Sequence, residues 1–529
     1  MLDLLIKNAS VVDGTGAPAR ICDIGVKNGR ITLKTEEGAK DVIDASGLTL
    51  CPGFVESHSH GDMSIGTHHG TMCKVSQGVT TEVGGQCGQS CFPVDLRFEK
   101  ELDGIMAFNS DFAKMPAERF QDFDSYIEYT KDLSLAMNMY ALVGHNTLRV
   151  SVMGVEDRAP SKEEMELMKE RLKACMEQGA VGLSSGLIYI PGVYSTTEEV
   201  IELCKVIKPY GGVYATHMRN EARNVVESVR EAIYIAEQAG VPLVVSHHKV
   251  CGKAFWGKSE QTLKLIEDAA QRGLKVMVDQ YPYEANQTAL NVPIPPQYFA
   301  DGLPALVEKL KDPAFREKVA AEMNDPDGGY DNFYLNSGGF SGVFIVSSPN
   351  VPEAVGMFVS EYAKTVGKSD MDAYFDLLIA NEGGGNGIYF AMDPEEVEKI
   401  YCYPRTVVGS DGLCFADSES GHPRAWGTFV KPLARFCLEK HLVSFEEAVK
   451  KQTSMTADFW GLKNKGRIAE GYDADLVLLD LANLKDTATW KDSNQKADGI
   501  EKVFVSGVCV YENKDLTGNY PGKVLRCYR

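Results

Sequence analysis

Two histidines two residues apart, His58 and His60, close the apolar run Pro52-Gly53-Phe54-Val55. Side chains at i and i+2 leave a strand on the same side, so the pair can reach one metal ion; two hydrogen-bonded core histidines are the plain alternative. The end of an apolar run, followed by Gly61 and Asp62, favours ligands. His217 and His247 close two further apolar runs, Gly212 to Thr216 and Pro242 to Ser246, and each taken singly is more often structural than ligating. Asp411, in Val407-Val408-Gly409-Ser410-Asp411-Gly412, adds a carboxylate at another such end. Together these side chains have the composition of a hydrolytic zinc site, where a cation activates water. Strand alternation puts His247 and Lys249 on one face and turns His248 away. His247 is then the ligand of the pair, and the Lys249 ammonium can face a pocket and suit an anionic substrate group, unless it is a solvated surface lysine.

The elements that must position these residues are repeated βα units. Apolar runs at 53–60, 79–84, 139–144, 181–185, 213–216, 242–246, 275–280 and 406–410 alternate with helix-period segments, and eight is the number a closed (β/α) barrel needs. The best-marked helix follows Pro160: Ser161 and Glu164 make a capping-box pattern, Met165, Met168, Leu172 and Cys175 share a face, and Gly179 can end it. Short strands broken by turn residues fill 3–50 and return near the far end in Asp475 to Leu479 and Lys502 to Val505, so the two ends are expected to pair into one small β unit. The stretch between Tyr283 and Thr406 is far longer than one helix and implies an insertion, either a wall of the substrate pocket or a packing appendage.

Lys plus Arg number 54 and Asp plus Glu 74, a net charge of −20 that repels phosphate backbones and anionic membranes, so neither nucleic acid nor membrane is an expected partner. Thirteen irregularly spaced cysteines argue against a disulfide framework and for a reducing, cytoplasmic setting. No apolar run approaches the length of a membrane span, and the first residues lack the basic start of a signal peptide. Gly383-Gly384-Gly385-Asn386-Gly387 has no following Lys-Ser/Thr and is not expected to cradle phosphate. His68 and His69 are expected to be solvated or capping, His441 to be at the surface, and His145 and His422 receive no assignment.

With His58-Ser59-His60, the flanking β unit and the late Lys465-Gly466-Arg467-Ile468-Ala469-Glu470-Gly471, the chain resembles the amidohydrolase superfamily. More narrowly it resembles the N-acyl-D-amino-acid deacylases, or D-aminoacylases, over nearly its whole length. The carrying segments include Val83-Gly84-Gly85-Gln86-Cys87-Gly88, Gly182-Leu183-Ser184-Ser185-Gly186, Tyr214-Ala215-Thr216-His217-Met218-Arg219, Ser246-His247-His248-Lys249 and Gly409-Ser410-Asp411-Gly412. The resemblance implies that Cys87 supplies the metal-ligating thiolate where related enzymes use a carbamylated lysine; no lysine occurs in Ala180 to Gly186. A lone buried thiol would otherwise be inert. It further implies one tightly held zinc on Cys87, His217 and His247, a weaker second position at His58 and His60, Asp411 as catalytic acid and base, and Lys249, Tyr189 and Tyr281 around the substrate carboxylate. The family pattern Tyr-Pro-Tyr-x-Ala-Gly-Ser-Thr departs here at Asn286 and Gln287, which alters one carboxylate hydrogen bond and the pocket shape.

The expected fold is therefore α/β, a (β/α)8 TIM-like metal-dependent hydrolase barrel plus a small β-sandwich formed from both chain ends: 1–51 and 467–529 for the sandwich, 52–466 for the barrel, with the insertion at about 292–350. The expected activity is zinc-dependent hydrolysis of N-acyl-D-amino acids, small-molecule substrates, with homo-oligomerisation left open. A cyclic amidase of the dihydroorotase or hydantoinase kind and a deaminase are the alternatives; a non-enzymatic scaffold would have eroded ligands. Glu284 can help or exclude a basic substrate.

Overall fold

The structure is a computed structural model describing residues 1–67, 71–106, 112–115, 120–413 and 421–528. His68 and His69 lie outside the described residues. All eight apolar runs contain strands, and all of these strands pair in parallel. Phe54–Glu56, Val79–Gly84 and Asn138–Ala141 form one sheet; Val143–Gly144, Gly182–Gly186, Val213–His217, Leu243–Val245, Val276–Gln280 and Thr406–Val408 form another in that order. Only Leu142 separates the third strand of the first sheet from the first strand of the second, and its amide donates to Gly84 O (3.0 Å). At the opposite edges Ser57 N donates to Val408 O (3.2 Å) and Asp411 N to His58 O (2.9 Å). One buried apolar cluster, including Val55, Val83, Val213, Val244, Met277 and Val407, draws on both sheets and rests on Trp460, whose Nε1 donates to Ser57 Oγ (3.0 Å).

Helices alternate with these strands and bury their apolar faces on them. Lys162–Glu177 starts at a Ser161 cap with the reciprocal Glu164 bond and buries Met168, Leu172 and Cys175, as its spacing requires. Val225–Ala239 buries Val229, Ala232, Ile233 and Ala236 and stops at Gly240, whose φ of 70° is the left-handed turn that ends a helix. The strands are buried along their whole length, which is why they read as continuous apolar runs rather than alternating ones.

Strands from the two ends of the chain share one sheet. Leu2–Val11 pairs with Arg20–Lys27, Ala39–Asp44 and Thr49–Pro52, and Thr49–Pro52 pairs antiparallel with Leu476–Leu479 from the far end, within a nine-stranded sheet. Leu4, Ile6, Leu50, Leu476, Leu478 and Phe504 fill its core.

The segment between the last two parallel strands is larger than the 292–350 insertion expected. Ala285–Ala289, Val343–Ser347 and Asn386–Phe390 make an antiparallel three-stranded sheet with the last strand in the middle, so the unit needs both sequence limits to close. It has its own apolar core, with Leu290, Val319, Phe340, Ile345, Tyr374 and Leu377. Composition underestimated it because its edge strand Ala285-Asn286-Gln287-Thr288-Ala289 is polar.

Candidate metal centre and substrate cavity

Parallel strands bring every chemical residue to one side of the sheet, the side of their C-terminal ends. His58 and His60 follow Phe54–Glu56, Cys87 follows Val79–Gly84, His217 ends Val213–His217, His247 follows Leu243–Val245, and Asp411 follows Thr406–Val408. Three of them, Cys87, His247 and Asp411, have left-handed backbone, with φ of 53°, 35° and 50°. Such conformations persist in non-glycine residues only where the surroundings impose them, and they concentrate at functional sites.

The Cys87 sulfur lies 3.3 Å from His58 Nε2 and 3.3 Å from His247 Nε2. Donor atoms of His58, Cys87, His247 and Asp411 all fall within 4.8 Å of one another, and those of His217, Glu221 and His247 form an equally tight second group. The grouping differs from the expected division, since His58 stands beside the sulfur and His217 beside Glu221. Asp279 ties two of these residues to one carboxylate: its Oδ1 accepts the His247 main-chain amide (2.6 Å) and lies 3.3 Å from His58 Nδ1.

The electrostatics suit a cation. Burial holds His217 and His247 well below the usual imidazole range, which keeps them neutral with a lone pair to offer. Both ring nitrogens of His217 are buried without a hydrogen-bond partner, while the ring packs edge-on against His247 at 4.4 Å and Tyr189 at 4.9 Å. Burial likewise pushes the Cys87 thiol up, a cost that a cation at the sulfur would reverse. Neutral imidazoles, a cysteine and a carboxylate are the donor set that zinc prefers, so the residues fit that ion.

Burial works to raise the Asp411 carboxyl, but the Arg424 guanidinium, 2.7 Å from Oδ2, with the His60 hydrogen bond outweighs it and holds Asp411 well below the usual carboxylate range. Its Oδ1 lies 3.1 Å from His60 Nε2 and 3.5 Å from His58 Nε2. Arg424 was hidden from sequence reasoning in Gly421-His422-Pro423-Arg424, where only the histidine drew notice. His422 turns out to be a brace: its Nδ1 accepts the Arg424 amide (2.9 Å), and Nε2 lies 2.9 Å from Ala285 O.

Glu221 was missed too, although its place four residues after His217 is a usable signal. Its Oε1 meets Lys249 Nζ at 2.7 Å and His247 Nδ1 at 3.0 Å. Lys249 also lies 2.8 Å from His247 Nδ1 and 5.5 Å from the Tyr281 ring centre. Burial works against the ammonium, yet Glu221 keeps its pKa above the usual lysine value. The anion that Lys249 faces here is therefore the protein's own. His248 turns away to Thr262 Oγ1 (2.8 Å), and His145 pairs with Glu199 (2.9 Å) in a buried cluster with Arg149. His441 is exposed.

Above the cluster opens a cavity of about 690 Å³, with His60, Cys87, Tyr189, Asp411 and Arg424 on its wall. Lys249 and Tyr281 lie behind that wall, both almost fully buried. The insertion supplies Val292, Phe299 and Leu303, among others, to the lining of this cavity. Glu284 is not part of the lining and faces Lys431 at 4.0 Å.

Comparison with known proteins agrees with this architecture. The amidohydrolase family pattern matches residues 41–316 and 405–511. The chain belongs to the amidohydrolase family, in the branch of the N-acyl-D-amino-acid deacylases. Over 526 residues it is 34% identical to a D-aminoacylase of Alcaligenes xylosoxydans xylosoxydans, covering 99% of this chain and 97% of the relative. Over 527 residues it is 35% identical to an N-acyl-D-aspartate deacylase of the same organism, covering 99% and 95%. Among solved structures it is similar to an N-acyl-D-glutamate deacylase of Bordetella bronchiseptica complexed with zinc and a phosphonate mimic of the tetrahedral intermediate. That match has a TM-score of 0.83 at 32% identity and covers 99% of each chain.

Proposed function

We propose that the protein hydrolyses the amide bond of N-acyl-D-amino acids, releasing a carboxylate and a free D-amino acid. The observation that carries this is the Cys87 sulfur between two imidazole nitrogens, beside an ionised Asp411, at the floor of a cavity in a chain of this family. Cys87 and His247 would hold a zinc ion, with the neighbouring imidazoles of His58 and His217 as further donors and His60 beside Asp411; when bound, the ion lowers the pKa of water and polarises the amide carbonyl.

The chain's own residues do the rest. Asp411 is held ionised by Arg424, so its carboxylate can take the proton of the attacking water and return it to the leaving amine, one residue serving as base and then acid. Arg424 presents a guanidinium to the cavity and stacks 4.8 Å from the Tyr281 ring centre, a geometry suited to the substrate carboxylate. Tyr189 joins it from the wall, and Lys249 with Tyr281 backs the same corner, which fixes the scissile amide relative to Asp411. Glu221 holds His247 Nδ1 and so directs Nε2 toward the sulfur. A cyclic amidase is disfavoured because Gly182–Gly186 contains no lysine to carbamylate.

Eight parallel strands with edges hydrogen-bonded together and one shared inner cluster support a closed (β/α)8 barrel spanning 52–466, with 1–51 and 467–529 forming the small β-sandwich unit. The thiols of the described residues are all free, which supports a reducing compartment such as the cytoplasm, and no helix among those residues is long and apolar enough to cross a membrane. The partner is a small molecule.

The deciding experiment is release of free amine by the zinc-loaded protein from paired D and L N-acetyl amino acids, with hydantoins alongside. Turnover confined to D substrates is the expected result; hydantoin opening without amine release from linear amides would replace this activity with a cyclic amidase.

A further inference from the structure

We infer that the substrate's side chain is uncharged and apolar, so that the site rejects the acidic N-acyl-D-amino acids; the inference rests on the deacylase activity proposed above and narrows it. Two features of the cavity carry it.

The first is the wall. Ile188, Ile190 and Val193 line it from the segment after Gly182–Gly186, and Val292, Phe299 and Leu303 line it from the insertion. Apolar side chains such as these reward burial of an apolar group, and polar ones that share the lining, such as Asn291 and Gln297, are uncharged.

The second is the account of cations. A carboxylate entering a buried wall needs a counter-charge, since an unpaired buried anion is strongly disfavoured. Three cationic residues line the described cavity: Lys100, Arg219 and Arg424. Arg219 spends its donors elsewhere. Its Nε and Nη2 grip the Glu231 carboxylate (3.1 and 3.0 Å), and its two terminal nitrogens also donate to Val193 O and Ser195 O (3.2 Å each). Lys100 is exposed. Arg424 remains: although paired with Asp411 at 2.7 Å, it is the one buried cation of the three, and it lies over Tyr281, where it can answer the one carboxylate that every N-acyl amino acid carries. Behind the wall, Lys249 is neutralised by Glu221 at 2.7 Å. Of two further acidic lining residues, Glu101 would repel a second carboxylate, while burial pushes the Asp331 carboxyl up to about 7. The site thus holds one buried cation for the main-chain carboxylate of the substrate and, among the described residues, no second buried and unpaired one for a carboxylate on its side chain, Lys100 being in solvent.

The test is steady-state hydrolysis by the zinc-loaded full chain of N-acetyl-D-leucine, N-acetyl-D-methionine and N-acetyl-D-phenylalanine against N-acetyl-D-aspartate and N-acetyl-D-glutamate. The expected preference in kcat/KM is at least about 100-fold for the apolar set, the scale at which an unmatched charge is discriminated. Acidic substrates turned over within about tenfold of the apolar ones, or faster, would overturn the inference while leaving the deacylase activity standing. No amine released from any D substrate by metal-loaded protein would instead remove the activity and the inference together. Val292→Arg supplies the missing cation, with Ile188→Arg as a second placement should the first fail to fold; either is expected to raise kcat/KM for N-acetyl-D-glutamate by about tenfold while lowering that for N-acetyl-D-phenylalanine. Folded variants of both kinds that leave the ratio unchanged would count against the wall as the selector.

Discussion

Lys74 and Glu56 form an ion pair of 2.7 Å in which neither side chain has any exposure. The ammonium also donates to Ser410 Oγ (2.6 Å), and Ser410 N donates to Glu56 (3.0 Å), so the pair clamps the residue that precedes Asp411. Lys74→Met would strand the carboxylate, and the expected loss of stability is about 3–5 kcal/mol. Denaturant unfolding of Lys74→Met, Glu56→Gln and the double variant checks this, with the double variant expected to lose less than the sum of the singles.

Cys87→Ala is expected to remove most of the bound zinc, because the sulfur is the one donor within 3.3 Å of both His58 and His247. Elemental analysis of the purified variant reads the outcome directly. Retention of full metal content and activity would refute the role of the cysteine.

Asp411→Asn is expected to keep its metal and lose turnover by about 10²-fold or more, the usual worth of a positioned acid and base. An active variant would move proton transfer to another group.

Arg424→Gln is expected to raise KM for N-acetyl-D-amino acids more than for the matching N-acyl amines that lack the carboxylate. The comparison separates anchoring of the substrate from support of Asp411, which the same guanidinium also provides. An equal loss on both substrates would leave only the second role.

Lys451 gives stability a marked pH dependence away from the site. Burial holds its pKa down at about 8, against an ordinary 10.5, although the ammonium donates to Tyr403 O and Thr406 O. Between pH 8 and 10.5 the unfolded chain keeps a proton that the folded chain has lost, so stability rises with pH across that window. The penalty is fully present below about pH 8 and amounts to about 3 kcal/mol. Lys451→Met is expected to flatten this rise, read as the difference between wild-type and variant unfolding free energies over that range.

Much of this architecture was legible because buried parallel strands write themselves as uninterrupted apolar runs, and because Ser161 and Glu164 announce a helix start. The pairing of Thr49–Pro52 with Leu476–Leu479 was legible in the repeated strand-and-turn grammar of the two ends. The site was legible where its residues close such runs, as His217 and Asp411 do. Residues acting through others left no comparable mark. Asp279 lies inside an apolar strand, Glu221 sits in a loop and Arg424 opens the short helix Arg424–Gly427, and what each does depends on a partner far away in sequence. The orientation of Lys249 was only half legible, since alternation gives the face of a strand but not which anion waits there. The insertion was legible in length and not in extent, its polar edge strand resembling a loop.

The antiparallel pairing of Thr49–Pro52 with Leu476–Leu479 also bears on how the molecule is made. A ribosome releases the early strand long before its neighbour exists, and contacts of such large sequence separation form late and slowly. During synthesis that edge stays open to other nascent chains, so the growing polypeptide passes through a stage in which a chaperone would find a natural client.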